Sequence, residues 1–423
     1  MESSEKLSPD PYKGVRDFYP SDWARLQDLF SSIRTLLVLN GYEEYNASPL
    51  ERAELYEKKG NEEIVQEQTY TFTDRALRRV TLRPEMTPTL ARMVAAKRRA
   101  LSFPLRWFSI GNRFRYERPQ RGRLREFYQV DVDIVGSARE ETDAEVLTLA
   151  SKIMRSLGAR EEDFIIRVNS RKLFDVLARE KRWSESQTRA DVQRKLFRVL
   201  DARRKVPEEK FVQDLKELGF SPEDFTAESL SEDIAQEIGV APLLQTVQTR
   251  GVSNVLWDPT ITRGFDYYTG MVFEVYDTSP ENTRALFGGG RYDGLMSLFG
   301  AEPLPAVGFG MGDVTLTDFL KTHGLEKNVL SAPTLFLGTV SDRDTPTAES
   351  LAEKLREEGI SVFVNLSSKS VGEQIKEALR RSIPYFAAVG SDEASSGKLR
   401  VKRLASGEEK ELSPQETADF CKR

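Results

Sequence analysis

The densest chemistry in the chain lies between Arg113 and Arg125, where six arginines (Arg113, Arg115, Arg118, Arg121, Arg123 and Arg125) share the segment with a single acid, Glu117. A guanidinium is permanently charged and forks onto phosphate oxygens, so such a cluster suits a polyphosphate or an RNA end. For a charge run alone, a solvated basic hairpin is the competing reading. The next segment, FYQVDVDIVG, favours a site: Gln129, Asp131 and Asp133 alternate with Val130, Val132 and Ile134. On a strand that alternation gathers three polar groups on one face, where burial without a ligand is costly.

A second constellation is ITRGFDYYTGMVFEVYD, in which Arg263, Asp266, Tyr267 and Tyr268 precede an apolar strand. A cation, an acid and two phenols stand together at a strand entrance. A turn with two core tyrosines is the alternative, and it leaves Arg263 unexplained. A third, LRPEMTP, sets Glu85 and Thr87 between prolines, which alone is the pattern of an exposed turn. FGGGRYDGL lacks the lysine and hydroxyl of a P-loop and the spacing of a dinucleotide fingerprint, so its glycines are expected to serve tight packing against a sheet.

These groups need a scaffold. Trp23, Leu26, Leu29, Phe30, Ile33, Leu36 and Leu37 recur at helical spacing over 20–41, opened by Pro20 and closed by Gly41. TYTFTD and RRVTLRP read as short strands, MTPTLARMVAAKRRA as a helix, and 105–136 as two strands around the arginine loop. Residues 171–250 are dominated by charged helices, with Val192, Leu196, Val199 and Leu200 on one stripe, and look like an inserted helical module. From about 331 to 423 strands and helices alternate, the pattern of a small, largely parallel α/β domain.

Composition excludes several classes. One cysteine, Cys421, and one histidine, His323, permit neither an internal disulfide nor a Cys/His metal site. A Ser-His-Asp mechanism would need His323 as its base, and KTHGLEK reads as a solvated loop. With 62 Lys and Arg against 67 Asp and Glu, the chain is no general DNA coater, so any nucleic-acid contact is local. The absence of a long apolar run or an apolar leader leads us to expect a cytoplasmic protein without a membrane span.

Taken in order, GVRDFYP with the long helix and SPLER, then FRYERPQRGRLREFYQVDVDIVG, then RGFDYYTG resemble the histidyl-tRNA synthetases over nearly the whole chain. The first looks like motif 1 of class II synthetases, the second like motif 2, and RGFDYYTG like a histidine-specific signature. The resemblance implies an α+β fold, with a class II antiparallel sheet flanked by helices over 1–170 and 251–325. It also implies a helical insertion at 171–250 and a C-terminal α/β anticodon-binding domain at 331–423. The implied activity is ATP-dependent formation of histidyl-adenylate and transfer of histidine to the 3′ end of tRNA(His), by a cytoplasmic homodimer using ATP and Mg²⁺. By the same resemblance Arg115 and Arg263 are catalytic, and Arg115, Glu117, Arg123 and Phe127 hold ATP. Glu85, Thr87, Gln129, Asp133, Arg263, Tyr267 and Tyr268 hold histidine, and Gln120 approaches the tRNA acceptor end.

One position departs from the family. Its motif 3 ends in Glu-Arg, with the arginine on the ATP γ-phosphate, whereas AVGFGMGDVTLTDFL offers Asp313, Val314 and Thr315. Losing one charge-assisted clamp costs about 1.5–3 kcal/mol, so either another cation takes over, with Arg291 or Arg118 as candidates, or ATP use is impaired. Two rivals remain in view: a noncatalytic histidine-sensing regulatory subunit of histidine biosynthesis, and an RNA-binding adaptor that has lost catalysis.

Overall fold

The computed structural model describes residues 7–57, 68–180, 187–203, 206–226, 230–263, 267–327, 329 and 332–422. The chain divides into two compact units, one comprising Met1–Asp17 and Leu26–Lys327, the other Phe18–Arg25 and Asn328–Arg423.

The strands of the first unit are β1 (Glu43–Glu44), β2 (Leu50–Arg52), β3 (Tyr70–Thr73), β4 (Arg79–Leu82), β5 (Leu105–Phe114), β6 (Glu126–Val135), β7 (Phe164–Ser170), β8 (Val255–Trp257), β9 (Met271–Asp277), β10 (Ala285–Arg291) and β11 (Ala306–Gly312). Its helices are α1 (Pro20–Leu39), α2 (Glu54–Glu57), α3 (Thr87–Lys97), α4 (Glu140–Ser156), α5 (Leu173–Glu180), α6 (Gln187–Ala202), α7 (Glu208–Glu217), α8 (Glu232–Glu237), α9 (Val240–Thr249) and α10 (Asp313–Thr322). The start of α1 falls in the second unit. The stripe read from the sequence is the face α1 buries, through Leu26, Leu29, Phe30, Ile33 and Leu37.

Eight strands form the main sheet in the order β1-β5-β6-β11-β10-β9-β7-β8. Its central pairings, from β5 through to β7, are antiparallel, and only the edge pairs β1·β5 and β7·β8 run parallel. The alternation in β6 is realised: Val130, Val132 and Ile134 are buried in apolar packing while Gln129, Asp131 and Asp133 line a cavity. A smaller sheet, β2-β4-β3, delivers the Arg83-Pro84-Glu85 turn to the main sheet. The Phe114 N–H donates to the Arg83 carbonyl at 3.1 Å, and Arg83 donates to the carbonyls of Asn112 and Ala47.

The charged helices have a core of their own. Leu173, Phe174, Leu177, Leu196, Leu200, Phe211 and Leu215 are buried together, with Val192 and Val199 packed against them. His323 is not the solvated loop residue expected. It caps α10, half-buried, with Nε2 at 2.8 Å from Asp277 Oδ1 and Nδ1 at 3.5 Å from Asp163 Oδ1. Acids distant in sequence hold it, so its local segment carried no sign of them.

The second unit contains β12 (Leu335–Thr339), β13 (Val362–Val364), β14 (Tyr385–Val389), β15 (Leu399–Arg403) and β16 (Glu409–Leu412), with α11 (Thr345–Glu357), α12 (Val371–Arg380), α13 (Ser391–Ser396) and α14 (Pro414–Cys421). Its sheet order is β13-β12-β14-β15-β16. The first three strands are parallel, but β15 and β16 are antiparallel, so the sheet is mixed rather than largely parallel. The continuous apolar strands read correctly because β12 is covered on both faces: Leu335 and Leu337 pack into one cluster and Phe336 into another.

Candidate active site

A cavity of about 800 Å³ opens on the polar face of the main sheet. The twelve residues to which the family resemblance gives roles all line it: Glu85, Thr87, Arg115, Glu117, Gln120, Arg123, Phe127, Gln129, Asp133, Arg263, Tyr267 and Tyr268. Residues up to 183 positions apart (85 to 268) therefore meet in one space. Gly264, Phe265 and Asp266, part of the second constellation, lie outside the described residues.

The floor is built from glycine. In the β6·β11 register Gly308 faces Asp133, Gly310 faces Asp131 and Gly312 faces Gln129. A Cβ on Gly308 would stand 2.2 Å from Asp133 Oδ1 and 2.4 Å from the Val132 carbonyl, and one on Gly310 would stand 2.1 Å from Gln129 Nε2. Tight packing, as read from the sequence, holds for Gly289, where a Cβ would meet the Gly308 carbonyl at 1.9 Å. Gly308, Gly310 and Gly312 do more, because they line the cavity and leave the polar groups of β6 uncovered.

Acids and phenols form one cluster of the lining. Glu85 is 3% exposed; its Oε2 accepts from the Tyr267 hydroxyl at 3.1 Å, and its Oε1 has no hydrogen-bond partner among the described residues. Burial pushes its pKa up to about 7 against the pull of Arg115 and Tyr267. Thr87 also hydrogen-bonds Tyr267. Asp133 takes a hydrogen bond from the Tyr292 hydroxyl and is pushed up to about 8 by burial. Tyr267 packs against Tyr268 and Tyr292 at centroid distances of 4.9 and 5.8 Å. Two buried carboxyls with raised pKa values form a site that gains from a cationic, hydrogen-bond-rich ligand.

Cations line the same space, Arg115 acting on Glu85 and Arg263 on Tyr267 and Tyr268. Arg115 donates from Nε to the Pro84 carbonyl at 2.9 Å and lies 5.4 Å from the centre of the Phe127 ring. Arg263 pairs with Glu274 at 2.9 Å, and its Nε is buried without a partner among the described residues. Its backbone sits at φ 59°, a left-handed conformation that side chains resist and that clusters at functional sites. Arg123 lies 3.1 Å from Glu117 Oε2.

The arginine cluster is not uniform in role. Arg113 is fully buried, paired with Asp131 at 2.5 Å, and fixes that acid rather than facing the cavity. Arg125 donates to the Tyr12 hydroxyl and the Glu117 carbonyl and stacks on Tyr116, so it holds the loop in place. Arg121 reaches Asn282 at 3.1 Å. Neither candidate for the missing cation fits. Arg291 is buried in a forked pair with Asp143, and neither it nor Arg118 lines the cavity.

Sequence reasoning missed Tyr292, Glu274, Arg284 and the reach of α6 and the residues just after it, from which Leu200, Asp201 and Arg203 also line the cavity. For Tyr292 a signal existed: the period-2 alternation of β10 places it on the same side as Gly288 and Gly290. Arg284 carried none, because it precedes a strand in a polar turn.

The family model described as histidyl-tRNA synthetase matches residues 14–314, and that described as anticodon binding domain matches 335–423. The chain is 39% identical over 420 residues to a histidine–tRNA ligase of Leptospira biflexa, covering 95% of this chain and 94% of the relative. It is 36% identical over 418 residues to one from Halobacterium salinarum, covering 95% of each. The crystal structure of histidyl-tRNA synthetase from a Nostoc species superposes with a TM-score of 0.81 at 25% identity, over 99% of this chain and all of that one. With one family model spanning most of the sequence and relatives of more than 30% identity along nearly all of it, the chain belongs to the histidyl-tRNA synthetase family.

Proposed function

We propose that the chain is a histidine–tRNA ligase that activates histidine with ATP and transfers it to the 3′ end of tRNA(His). The observation that carries this reading is the union, in one cavity, of two buried acids with raised pKa values and the guanidiniums of Arg115 and Arg263. Glu85, with one carboxylate oxygen lacking a hydrogen-bond partner among the described residues, receives the α-amino group, beside Thr87, Gln129 and Tyr267. Asp133, oriented by Tyr292, and Tyr268 bind the imidazole. Arg115, Glu117, Arg123 and Phe127 hold ATP, and Gln120 meets the acceptor end of tRNA.

Attack of the histidine carboxylate on the α-phosphorus, which breaks the α–β phosphoanhydride bond and releases pyrophosphate, brings two anions together. Fixed cations lower that barrier by neutralising charge and holding an in-line geometry, the part assigned to Arg115 and Arg263. No protein base is needed, since a carboxylate is already a nucleophile. In the transfer step a terminal ribose hydroxyl of tRNA attacks the carbonyl carbon of the mixed anhydride, the bond to AMP breaks, and the hydroxyl proton passes to a phosphate oxygen of the departing AMP. Magnesium typically binds one or two carboxylates and substrate phosphates. Glu117, the acid that Arg123 pairs with at 3.1 Å, is the carboxylate beside the phosphate-binding arginines that would hold it, and the ion would supply further charge neutralisation.

We assign 1–170 and 251–325 to catalysis, 171–250 to a helical insertion and 331–423 to anticodon binding. A cytoplasmic homodimer is part of the same reading, through the resemblance of the α1 region to motif 1. The regulatory-subunit and adaptor readings are disfavoured because Arg115, Glu117 and Arg263 all face one cavity and an anticodon-binding segment follows. Charging of total tRNA with each labelled amino acid in turn is the test: histidine alone should be esterified, and esterification of another amino acid would overturn the assignment.

A further inference from the structure

ATP brings a chain of anionic phosphates, and Arg115 and Arg263 account only for its first link. Among the described residues lining the cavity there are three more cations: Arg123, Arg203 and Arg284. Arg123 is paired with Glu117, and Arg203 lies over the Phe211 ring at 5.4 Å. Arg284 has no hydrogen bond, ion pair or ring partner among the described residues. It stands just before β10, largely exposed, where Arg121 of the arginine loop reaches the same turn through Asn282.

Its position coincides with the gap in the sequence pattern. A Cβ built on Gly122 would lie 3.5 Å from Thr315 Cγ2 and 3.6 Å from Arg284 Cδ, so the two side chains meet over one glycine of the loop. Thr315 is tied there by its hydroxyl, which donates to the Leu286 carbonyl at 2.6 Å, two residues beyond Arg284. The short residue at 315 and the arginine of the turn before β10 thus stand on the same side of the loop glycine.

We propose that Arg284, together with Arg123, grips the terminal phosphate of ATP, supplying from the turn before β10 the cation that Thr315 does not supply from α10. Arg284 and Arg123 face one carboxylate, Glu117, so this corner carries excess positive charge. Partial desolvation against the cavity wall, and then the nearby Arg123 guanidinium, pull the Arg284 pKa down, a cost to its charge that a polyphosphate would relieve. The proposal rests on the reading that the cavity takes ATP.

The test compares Arg284→Gln with the parent protein by direct binding of ATP and of AMP, which lacks the terminal phosphates. Arg284 is exposed, and an unchanged thermal midpoint will show that the variant folds. ATP affinity should fall roughly tenfold or more, AMP affinity should change less than about twofold, and adding Thr315→Arg to Arg284→Gln should recover most of the loss. Equal shifts for ATP and AMP, or none for either, would overturn the proposal. Histidine-dependent ATP–pyrophosphate exchange by the parent protein is measured alongside. Its absence would count against the ligase reading, while the comparison of ATP with AMP still decides the role of Arg284.

Discussion

Replacing Glu85 with glutamine keeps the shape of the side chain and its bond to Tyr267 but removes the charge that should meet the α-amino group of histidine. Glu85 is buried, with one oxygen lacking a partner among the described residues, so an arriving ammonium would form a charge-assisted hydrogen bond shielded from water. Such a bond contributes about 1.5–3 kcal/mol, so the histidine KM in ATP–pyrophosphate exchange should rise roughly 10- to 160-fold, with the ATP KM nearly unchanged. The pH dependence has a defined sign. Burial raises the free carboxyl to about 7, and ammonium pairs only with its ionised form, so histidine affinity is lost as pH falls through that value. Between pH 8 and pH 6 the advantage of the parent protein over Glu85→Gln should shrink about tenfold. Titration of the imidazole and of Asp133 occurs in both proteins and cancels in the ratio. Stability runs the opposite way. A carboxyl raised from 4.5 to about 7 binds more protons folded than unfolded, so it costs stability increasingly across that window and fully above it. Without histidine, Glu85→Gln should therefore melt higher than the parent at pH 8 and about equally at pH 4.5. Equal histidine KM values in the two proteins, or a ratio that ignores pH, would refute the reasoning.

Asp133→Asn should raise the histidine KM at least tenfold while leaving the ATP KM within about twofold, and an unchanged histidine KM would remove Asp133 from the imidazole site. Gly289→Ala and Gly310→Ala should separate folding from binding. The first drives a Cβ to 1.9 Å from a backbone carbonyl in the sheet and should lower the melting temperature sharply. The second meets the mobile end of Gln129 and should mainly weaken histidine. Arg291→Met leaves Asp143 buried and unpaired, and breaking a buried pair costs about 3–5 kcal/mol. Calorimetry should show that loss, with the ATP KM unchanged in whatever protein remains folded.

The sequence was most legible where periodicity and side-chain chemistry coincided. The alternation in FYQVDVDIVG showed the two faces of β6, and the apolar stripe of α1 is the one it buries. Legibility failed where a partner came from far away in the chain. Six arginines of similar appearance divide into cavity-facing and structural groups because Asp131, Tyr12 and Asn282 claim three of them. His323 read as solvated because Asp163 and Asp277, which hold it, are 160 and 46 residues distant. The glycines of FGGGRYDGL read as packing devices, and nothing local distinguishes Gly289, pressed on backbone, from Gly310, which opens the floor of the cavity. The last two strands of the second unit break the parallel pattern through a hairpin, which alternation of strands and helices does not foretell.

The central claim is that one cavity brings histidine and the α-phosphate of ATP together between Arg115 and Arg263. ATP–pyrophosphate exchange, run on the purified chain with each standard amino acid supplied singly, tests it most directly. Exchange with histidine alone, abolished by Arg115→Ala and by Arg263→Ala in proteins that still fold, is the predicted result. Exchange that persists in both variants, or that follows a different amino acid, would contradict it.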